Sequence, residues 1–388
     1  MVAIMRPFGE VVVPPFEVNH TDSDLRALIK QLNEIQDEIR VAMEPTANYY
    51  VPVAVALNNA GFFVSVVNAK LVHDYGTNNL RTVKTDKKDA IKLANYALNY
   101  WRTLRKYVPE DDTRLMLKLC YRQYVESTKV QTMLKNNLIS LLDIVFPDIN
   151  RMFRTKPRED GSEKWIDFVS SFWHRDCICE YSETDFVEEY RSWCKQFGYR
   201  YTKSKAAEIH AFACGQIGIL PRTESIHHLM EQTLIQLRAS CASVAYLKKE
   251  MQTLAALLPE YPIVMNMYGI GSILGPQLMA EIGDVRRFHS KKALVAYAGL
   301  DAPPFESGNM QKRRRITKRG SPTLRRTLFL VMSIYLQSAP ADDPVYQFME
   351  KKRAEGKPYK VYMVASANKF LRRYYATVTA YLNGLEEV

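Results

Sequence analysis

Three acidic residues near the amino-terminal end have the type and spacing of a divalent-metal site. Asp86 and Asp89 stand three positions apart at a predicted helix start, which places both carboxylates on one helical face. Glu44 follows an apolar, strand-like run at 39–43. Carboxylate oxygens suit Mg²⁺, and two such ions about 3.5–4 Å apart stabilise both reacting oxygens of a phosphodiester. An ordinary helix start, at which acidic residues cap the helix or face solvent, also explains Asp86 and Asp89. Taken alone, the motif favours this explanation over a metal site.

The charge of the whole chain predicts a polyanionic partner. Its 388 residues include 53 Lys and Arg against 42 Asp and Glu, a formal net charge of +11. Basic surfaces bind phosphate backbones by releasing counterions, so nucleic acid is the expected partner. No apolar run is long enough to span a bilayer, and no charged leader precedes a hydrophobic block, so we expect a cytoplasmic protein without a membrane partner.

The six cysteines are scattered without paired spacings, which predicts reduced and mostly buried thiols rather than a disulfide framework. His174, Cys177 and Cys179, with Cys194 downstream, lack the Cys-x2-Cys spacing of a zinc knuckle. We therefore predict no zinc site.

Residues 1–108 read as an α/β layer domain. Apolar alternation and turn residues predict two strands joined by a hairpin turn at 6–9, followed by a helix that Thr21 or Asp22 caps. A strand ending at Glu44, a helix at 49–60 and a buried strand at 62–67 come next. A parallel part of the sheet would place Glu44 at the carboxyl end of its strand, where functional groups gather.

Two long helices are predicted at 113–146 and 225–258, where breakers are few. In the second, apolar residues recur every three or four positions, which fits a two-helix coiled arm and fits a buried bundle helix equally well. We expect Leu247 and Leu254 at a helix–helix contact. Between the long helices, 150–215 reads as a small helical insertion, rich in aromatic residues, whose task the sequence does not indicate.

The last third of the chain combines glycine turns with dense positive charge. Gly269 and Gly271 flank Ile270 before an apolar helix, a turn whose backbone N–H groups suit a phosphate. Eight basic residues then fall between 312 and 326, interrupted by Gly and Pro, which favours a loop over a nucleic-acid backbone. They are Lys312, Arg313, Arg314, Arg315, Lys318, Arg319, Arg325 and Arg326.

The joint order of these motifs resembles a known family. A metal-site Glu, Lys-Thr-Asp-x-x-Asp, a helical arm, Gly-Ile-Gly, Ala-Gly-Leu, Ser-Gly and Lys-Arg-Gly-x-x-x-Leu-Arg occur in the order found in DEDD transposases of the insertion-sequence one-ten family and the Piv-like DNA invertases. The resemblance implies an RNase H-like, RuvC-type domain at 1–108 that lacks its first strand, and a coiled arm at 109–150 and 222–260. It also implies a mostly helical transposase domain at 261–388 with a helix-hairpin-helix-like Gly-Ile-Gly motif, and leaves 151–221 as the insertion.

The resemblance also assigns roles. Glu44, Asp86 and Asp89 match the second to fourth acidic metal ligands, for Mg²⁺, and Ser307 matches a nucleophilic serine. Ser290 and Ser321 would serve as well without the family. The first Asp has no counterpart, and Glu10 follows the turn and is a poor substitute. We therefore expect an in-frame extension of roughly ten to twenty residues, one strand and a turn, ending its apolar run in Asp.

The expected activity is cleavage and rejoining of DNA strands for insertion-sequence mobility. Donor and target DNA, a structured noncoding RNA that pairs with both, and a homo-oligomer of two or four copies are the partners that the resemblance implies. Two other functions remain open at this point. One is a Mg²⁺-dependent, RuvC-like nuclease that cleaves DNA junctions, and the other is an inactive nucleic-acid-binding remnant.

Overall fold

The computed structural model describes residues 1–45, 49–75, 85–302, 305–307, 310–312 and 315–386, with the backbone alone described at 305–307 and 310–312. The chain divides into two compact units, Met1–Pro109 and Glu110–Val388. In the ranges that the structure describes, no helix is long and apolar enough to cross a membrane.

The first unit combines short strands with helices. Its strands are β1 Val2–Met5, β2 Val11–Phe16, β3 Arg40–Met43 and β4 Phe63–Val66, and its helices are α1 Asp22–Asn33, α2 Tyr50–Asn59, α3 Ala69–Tyr75 and α4 Asp86–Asn99. β1 and β2 pair antiparallel, whereas β3 and β4 pair parallel with Arg40 opposite Phe63. In the described residues the predicted layer thus consists of two separate two-stranded sheets.

Local sequence explains these elements. The Thr21 side chain accepts a hydrogen bond from the Asp24 amide and so caps α1, whose buried side chains Leu28 and Leu32 lie four residues apart on one face. They pack with Leu57 of α2 and Val64 of β4 in the core of this unit. The helices therefore cover the strands and bury their apolar faces.

The second unit is almost entirely helical. Its elements are α5 Asp112–Val145, α6 Lys164–Ser171, α7 Asp176–Cys179, α8 Glu183–Gln196, α9 Lys203–Gly215, α10 Glu224–Ala256, α11 Tyr261–Met265, α12 Leu274–Ile282, α13 Lys291–Tyr297, β5 Phe305–Ser307, β6 Met310–Lys312, α14 Pro322–Ser338, α15 Pro344–Ala354 and α16 Tyr359–Glu386.

The two longest helices of this unit, α5 and α10, pack antiparallel along each other. Arg114 near the start of α5 forms a buried, bidentate ion pair with Glu260, just beyond the end of α10. Farther along, the Cys120 thiol lies 3.6 Å from the Leu247 carbonyl oxygen, and Gln131 donates to the Cys241 sulfur at 3.2 Å. At 1.5 Å per residue, the 34 residues of α5 span about 50 Å. The two long helices therefore pair with each other within a single chain.

A separate hydrophobic core surrounds each end of this helix pair. The start of α5 and the end of α10 pack with α11–α16, and Leu117 and Met251 belong to that core. The end of α5 and the start of α10 pack with α6–α9 in a second, smaller core, which contains Leu138 and Leu237. The helix pair connects two cores inside one unit.

The smaller core contains a lysine enclosed by aromatic rings. The Lys164 Nζ lies 5.3–6.0 Å from the ring centroids of four residues, Phe153, Tyr190, Trp193 and Tyr199. Burial lowers the pKa of Lys164, because a charged ammonium group loses its hydration there. Its ring contacts offset part of that cost.

The six cysteines have no disulfide partners, and only three of them, Cys120, Cys194 and Cys241, are buried. Cys177 and Cys179 are half-buried and Cys214 is exposed. The expectation of free thiols agrees with the structure, whereas that of mostly buried thiols holds for half of them.

Replacing Leu247 and Leu254 together with Glu should destabilise the second unit. Both side chains pack against the larger core, and each new carboxylate would lose its hydration there, which costs about 2 kcal/mol or more per site. Urea unfolding measures the loss. A matched double variant, Tyr246→Glu with Leu257→Glu, changes exposed neighbours on the same segment and should unfold close to the parent protein. Equal midpoints for the two double variants would contradict the packing described here.

Candidate functional site

The acidic candidates of the first unit lie on two different elements. Glu44 directly follows β3 and is half-buried, so the parallel pairing of β3 with β4 fixes its backbone. Asp86 and Asp89 lie in the first turn of α4 and are exposed. The Thr85 side chain caps this helix by accepting from the Lys88 amide at 3.3 Å. The capping explanation of the Thr-Asp motif therefore holds, and the two Asp side chains remain available to solvent.

These three carboxylates have the donor chemistry of a Mg²⁺ site but do not form a cluster. Among the described residues, which include all three, no group of three or more His, Cys, Asp or Glu side chains lies close enough to hold a metal ion. Hard oxygen donors suit Mg²⁺, which takes one or two protein carboxylates and keeps several waters. Asp86 and Asp89 alone meet that smaller requirement, since they share one helix face.

The serine candidate lies on a short β-hairpin of the second unit. Ser307 ends β5, and its backbone pairs with Met310 at the start of β6. The Ser307 side chain, and the predicted contact residues 313 and 314, lie outside the described residues, as does the side chain of Lys312. The structure therefore describes Ser307 by its backbone alone.

Backbone hydrogen bonds and a close glycine contact join the two segments that flank this hairpin in the chain. The amides of Thr317 and Lys318 donate to the carbonyls of Asp301 and Gly299, at 2.9 and 3.1 Å. A Cβ atom on Gly320 would lie 1.9 Å from the Tyr297 carbonyl oxygen, so only glycine fits. The Ala-Gly-Leu motif at 298–300 and the Lys-Arg-Gly motif at 318–320 therefore pack against each other. This contact fixes both chain segments that lead into the hairpin.

The basic residues of this segment divide into two groups. The Arg325 side chain is half-buried, and its Nη1 donates to the Ala298 carbonyl at 2.9 Å, so it supports the hairpin base. The other described basic residues are exposed, and among the described residues none of them has an ion-pair partner. They are Arg315, Lys318, Arg319 and Arg326. We call these four residues, which follow the hairpin in the chain, the basic rim.

The Gly-Ile-Gly turn between α11 and α12 has one inward and one outward glycine. Gly269 has φ of +74°, and a Cβ there would lie 3.0 Å from the Tyr335 ring, so packing and backbone conformation both require glycine. Gly271 is exposed, and a Cβ there would meet no atom within 4 Å. Packing therefore explains Gly269 without a ligand, and Gly271 faces solvent before α12.

Two family models match this chain at the two regions that carry these candidates. Residues 1–147, which include Glu44 and Asp86, match a model described as a transposase. Residues 261–347, which include Ser307 and the basic rim, match the transposase IS116/IS110/IS902 family. Together the two ranges cover more than half of the 388 residues.

The chain belongs to the IS116/IS110/IS902 transposase family.

Individual relatives agree with the family assignment. The transposase for insertion sequence element IS1111A of Coxiella burnetii is 24% identical over 151 residues, 38% of this chain and 41% of the relative. An uncharacterized 42 kDa protein of insertion element IS900 from Mycobacterium paratuberculosis is 30% identical over 110 residues, 28% of this chain and 27% of the relative. The pilin gene-inverting protein of Moraxella bovis is 22% identical over 341 residues, 88% of this chain and 80% of the relative. The chain thus spans less than half the length of the first two relatives.

One buried charge, next to Ser321, was not predicted from the sequence. Glu281 of α12 is fully buried, forms an ion pair with Arg122 of α5 at 2.8 Å, and accepts from the Ser321 hydroxyl at 2.6 Å. The Ser321 hydroxyl also caps α14 by accepting from the Leu324 amide. One signal was present, since Glu281 is the single acid in the apolar run 274–282. Its partners lie too far away in sequence to be inferred.

Replacing Gly320 with Ala should destabilise the protein by about 2–3 kcal/mol, because the new methyl group would overlap the Tyr297 carbonyl and the Gly299 amide. Thermal unfolding of the purified protein measures the loss. Gly384→Ala is the matched control, since a Cβ there meets nothing within 4 Å on helix α16, and it should stabilise by about 0.5–1 kcal/mol. A Gly320→Ala protein as stable as the parent would contradict the close contact.

Proposed function

We propose that this protein is a DNA transposase or recombinase that cleaves and rejoins DNA strands to move an insertion sequence. The observation that carries the proposal is the basic rim, four cations that follow the Ser307 hairpin in the chain and that are exposed and, among the described residues, outside ion pairs. Exposed cations attract phosphate, so we infer that this part of the second unit meets the DNA backbone. Membership of a transposase family supports the same conclusion.

In the proposed chemistry, the Ser307 hydroxyl oxygen attacks a DNA phosphorus atom and displaces a deoxyribose oxygen. The serine hydroxyl gives up its proton, and the departing sugar oxygen takes one up. The resulting phosphoserine link keeps the energy of the phosphodiester bond, so that a second sugar hydroxyl can displace the serine and rejoin the strand. The basic rim neutralises phosphate charge around this exchange.

The two rival serines have structural tasks in this fold, which favours Ser307 as the nucleophile. The Ser290 hydroxyl caps α13 by accepting from the Ala293 amide at 3.2 Å. The Ser321 hydroxyl is engaged by Glu281 and Leu324. Both hydroxyls are therefore already committed to the hydrogen bonds that hold their helices.

We further propose that the first unit is RNase H-like and that Glu44, Asp86 and Asp89 hold Mg²⁺ when nucleic acid is bound. Bound Mg²⁺ would supply a Lewis acid for the phosphate oxygens. The likeness of the carboxylate spacing to the family motif supports this assignment. The exposed position of Asp86 and Asp89 is compatible with an ion shared between protein and substrate.

The proposed partners are donor DNA, target DNA and a structured noncoding RNA that selects both by base pairing. Two or four copies of the chain would assemble on them, because cleavage and rejoining at two ends of an element need more than one serine. The net charge of +11 supports binding to several nucleic-acid strands at once.

Replacing Ser307 with Ala should abolish a covalent link between protein and DNA. Cells carrying the gene and its flanking sequence are lysed in denaturant, and protein-linked DNA is digested and mapped by mass spectrometry to the modified residue. We expect the adduct at Ser307 in the parent protein and none in the variant. Ser290→Ala, the control, should lose a helix cap but keep the adduct. Cleaved DNA with free ends and no adduct would instead support a junction-cleaving nuclease.

Neutralising the basic rim should make DNA binding less sensitive to salt. In the triple variant Arg315→Gln, Arg319→Gln and Arg326→Gln, the slope of log K against log salt should become shallower by about three units if each residue touches a phosphate. Fluorescence anisotropy over a salt series measures this slope. The control removes the same charge from the helical insertion, at Lys195, Arg200 and Lys203, which are exposed and, among the described residues, outside ion pairs. Equal slopes for the two triple variants would remove the rim from the interface.

A further inference from the structure

Two thiols of the helical insertion lie on neighbouring helices that pack against each other. Cys179 ends α7, and Cys214 lies in the last turn of α9. The Cys179 and Cys214 side chains are hydrogen-bonded to each other, so the two sulfur atoms are neighbours. Cys214 is exposed and Cys179 is half-buried. Small solutes therefore reach this pair of thiols from solvent.

Two further contacts hold the same helix ends together without involving the thiols. Arg175, directly before α7, donates to the carbonyl oxygen of Gln216, directly after α9. The His210 Nε2 atom of α9 lies 3.0 Å from the Tyr181 carbonyl oxygen, just beyond the end of α7. Each contact joins a residue that flanks one cysteine in the chain to a residue that flanks the other. The two contacts thus bracket the thiol pair.

The Cys214 sulfur has two hydrogen-bond donors. A carbonyl oxygen only accepts, so the contact with Tyr181 requires a hydrogen on His210 Nε2, and this atom lies 3.9 Å from the Cys214 sulfur. The Cys179 thiol is the second donor, because burial and its hydrogen bond to Cys214 raise the pKa of Cys179 to about 11. Cys179 therefore keeps its proton. When the pair loses one proton, the charge settles on Cys214, which makes that sulfur the nucleophile.

The pair does not have the ligands of a zinc site. Among the described residues, which include both cysteines and His210, no three His, Cys, Asp or Glu side chains lie close enough together to hold a metal ion. Structural zinc takes four such ligands. Two adjacent, accessible thiols suit oxidation to a disulfide instead.

We propose that Cys179 and Cys214 form a reversible disulfide, with hydrogen peroxide as the oxidant. The Cys214 sulfur attacks one peroxide oxygen, the O–O bond breaks, and the departing hydroxide takes the thiol proton to become water. The Cys179 sulfur then attacks the Cys214 sulfur, the S–O bond breaks, and the second hydroxide leaves as water with the Cys179 proton. Two electrons pass from the sulfurs to the peroxide. An external dithiol returns them by thiol–disulfide exchange.

The surroundings of the other cysteines keep them out of this reaction. Cys120, Cys194 and Cys241 are buried. Cys177 lies two positions before Cys179 in α7, and side chains two apart on a helix do not face the same way. The proposed disulfide closes a loop that contains α8, so it removes conformational freedom from that segment when the insertion opens. The proposal involves no residue of the hairpin or the basic rim, so it does not depend on the proposed function.

The test treats the reduced, full-length protein with hydrogen peroxide, blocks the remaining thiols with iodoacetamide and maps the unreduced digest by mass spectrometry. We expect an intact mass lower by two hydrogens, a peptide that links Cys179 to Cys214, and full reversal by dithiothreitol. Both residues should lose iodoacetamide labelling about tenfold or more faster than the three buried cysteines lose it. Unmodified thiols, a stable oxide on Cys214, or a disulfide to another cysteine or a second chain would overturn the proposal.

Serine variants assign the two roles. Cys179→Ser should accumulate a sulfenic acid at Cys214, which dimedone traps, whereas Cys214→Ser should leave Cys179 unoxidised. Cys177→Ser is the matched control on α7 and should form the disulfide as the parent does. Dimedone on Cys179 in the Cys214→Ser protein, or loss of the disulfide in Cys177→Ser, would overturn the proposal. The parent protein alone shows whether the disulfide forms, so a poorly folded variant does not weaken the test.

Discussion

The antiparallel contact between α5 and α10 is the interaction on which the second unit depends. Each half of this helix pair is built into a different core, so that neither core is complete without both helices. The Arg114–Glu260 pair holds one end of the contact, and its two charges are buried together. Loss of either partner alone would leave an uncompensated charge in the core, which is far more costly than loss of both. Register along about 50 Å of helix is thereby specified at one point.

The same helix pair holds the start of α14, which follows the hairpin in the chain, through a series of polar contacts. Arg122 of α5 reaches Glu281 of α12, which in turn holds Ser321 at the start of α14. A second chain runs in parallel, because the Tyr121 and Thr327 hydroxyls lie 2.8 Å apart. The start of α14 is therefore held by buried polar contacts, whereas the basic rim is exposed. This division separates the groups that fix geometry from the groups that can meet a nucleic acid.

Much of this fold could be predicted from the sequence because its elements obey local rules. The periodicity of apolar residues predicted the long helices at 113–146 and 225–258, and the structure has them at Asp112–Val145 and Glu224–Ala256. The strand before Glu44 and its parallel partner followed from pattern in the same way. Order of motifs along the chain predicted the family, which the family models confirm.

What could not be predicted depends on residues distant in sequence. Nothing near Lys164 in the chain indicates that four aromatic rings enclose it, and nothing near Arg325 indicates that its guanidinium serves the backbone rather than solvent. The clustering of Glu44 with Asp86 and Asp89 was an expectation from spacing, and spacing does not fix the distance between two elements.

The Ser321 hydroxyl limits which residues that position can accept. It donates one hydrogen bond, to Glu281, and accepts another, from the Leu324 amide, so the site requires a short side chain that does both. Asp is ordinarily as good a helix cap as Ser, but here it would place a second carboxylate against a fully buried one. Ala would leave one oxygen of Glu281 with one fewer donor. Over evolutionary time, the position should therefore drift only between Ser and Thr, even in relatives whose surrounding surface has changed completely.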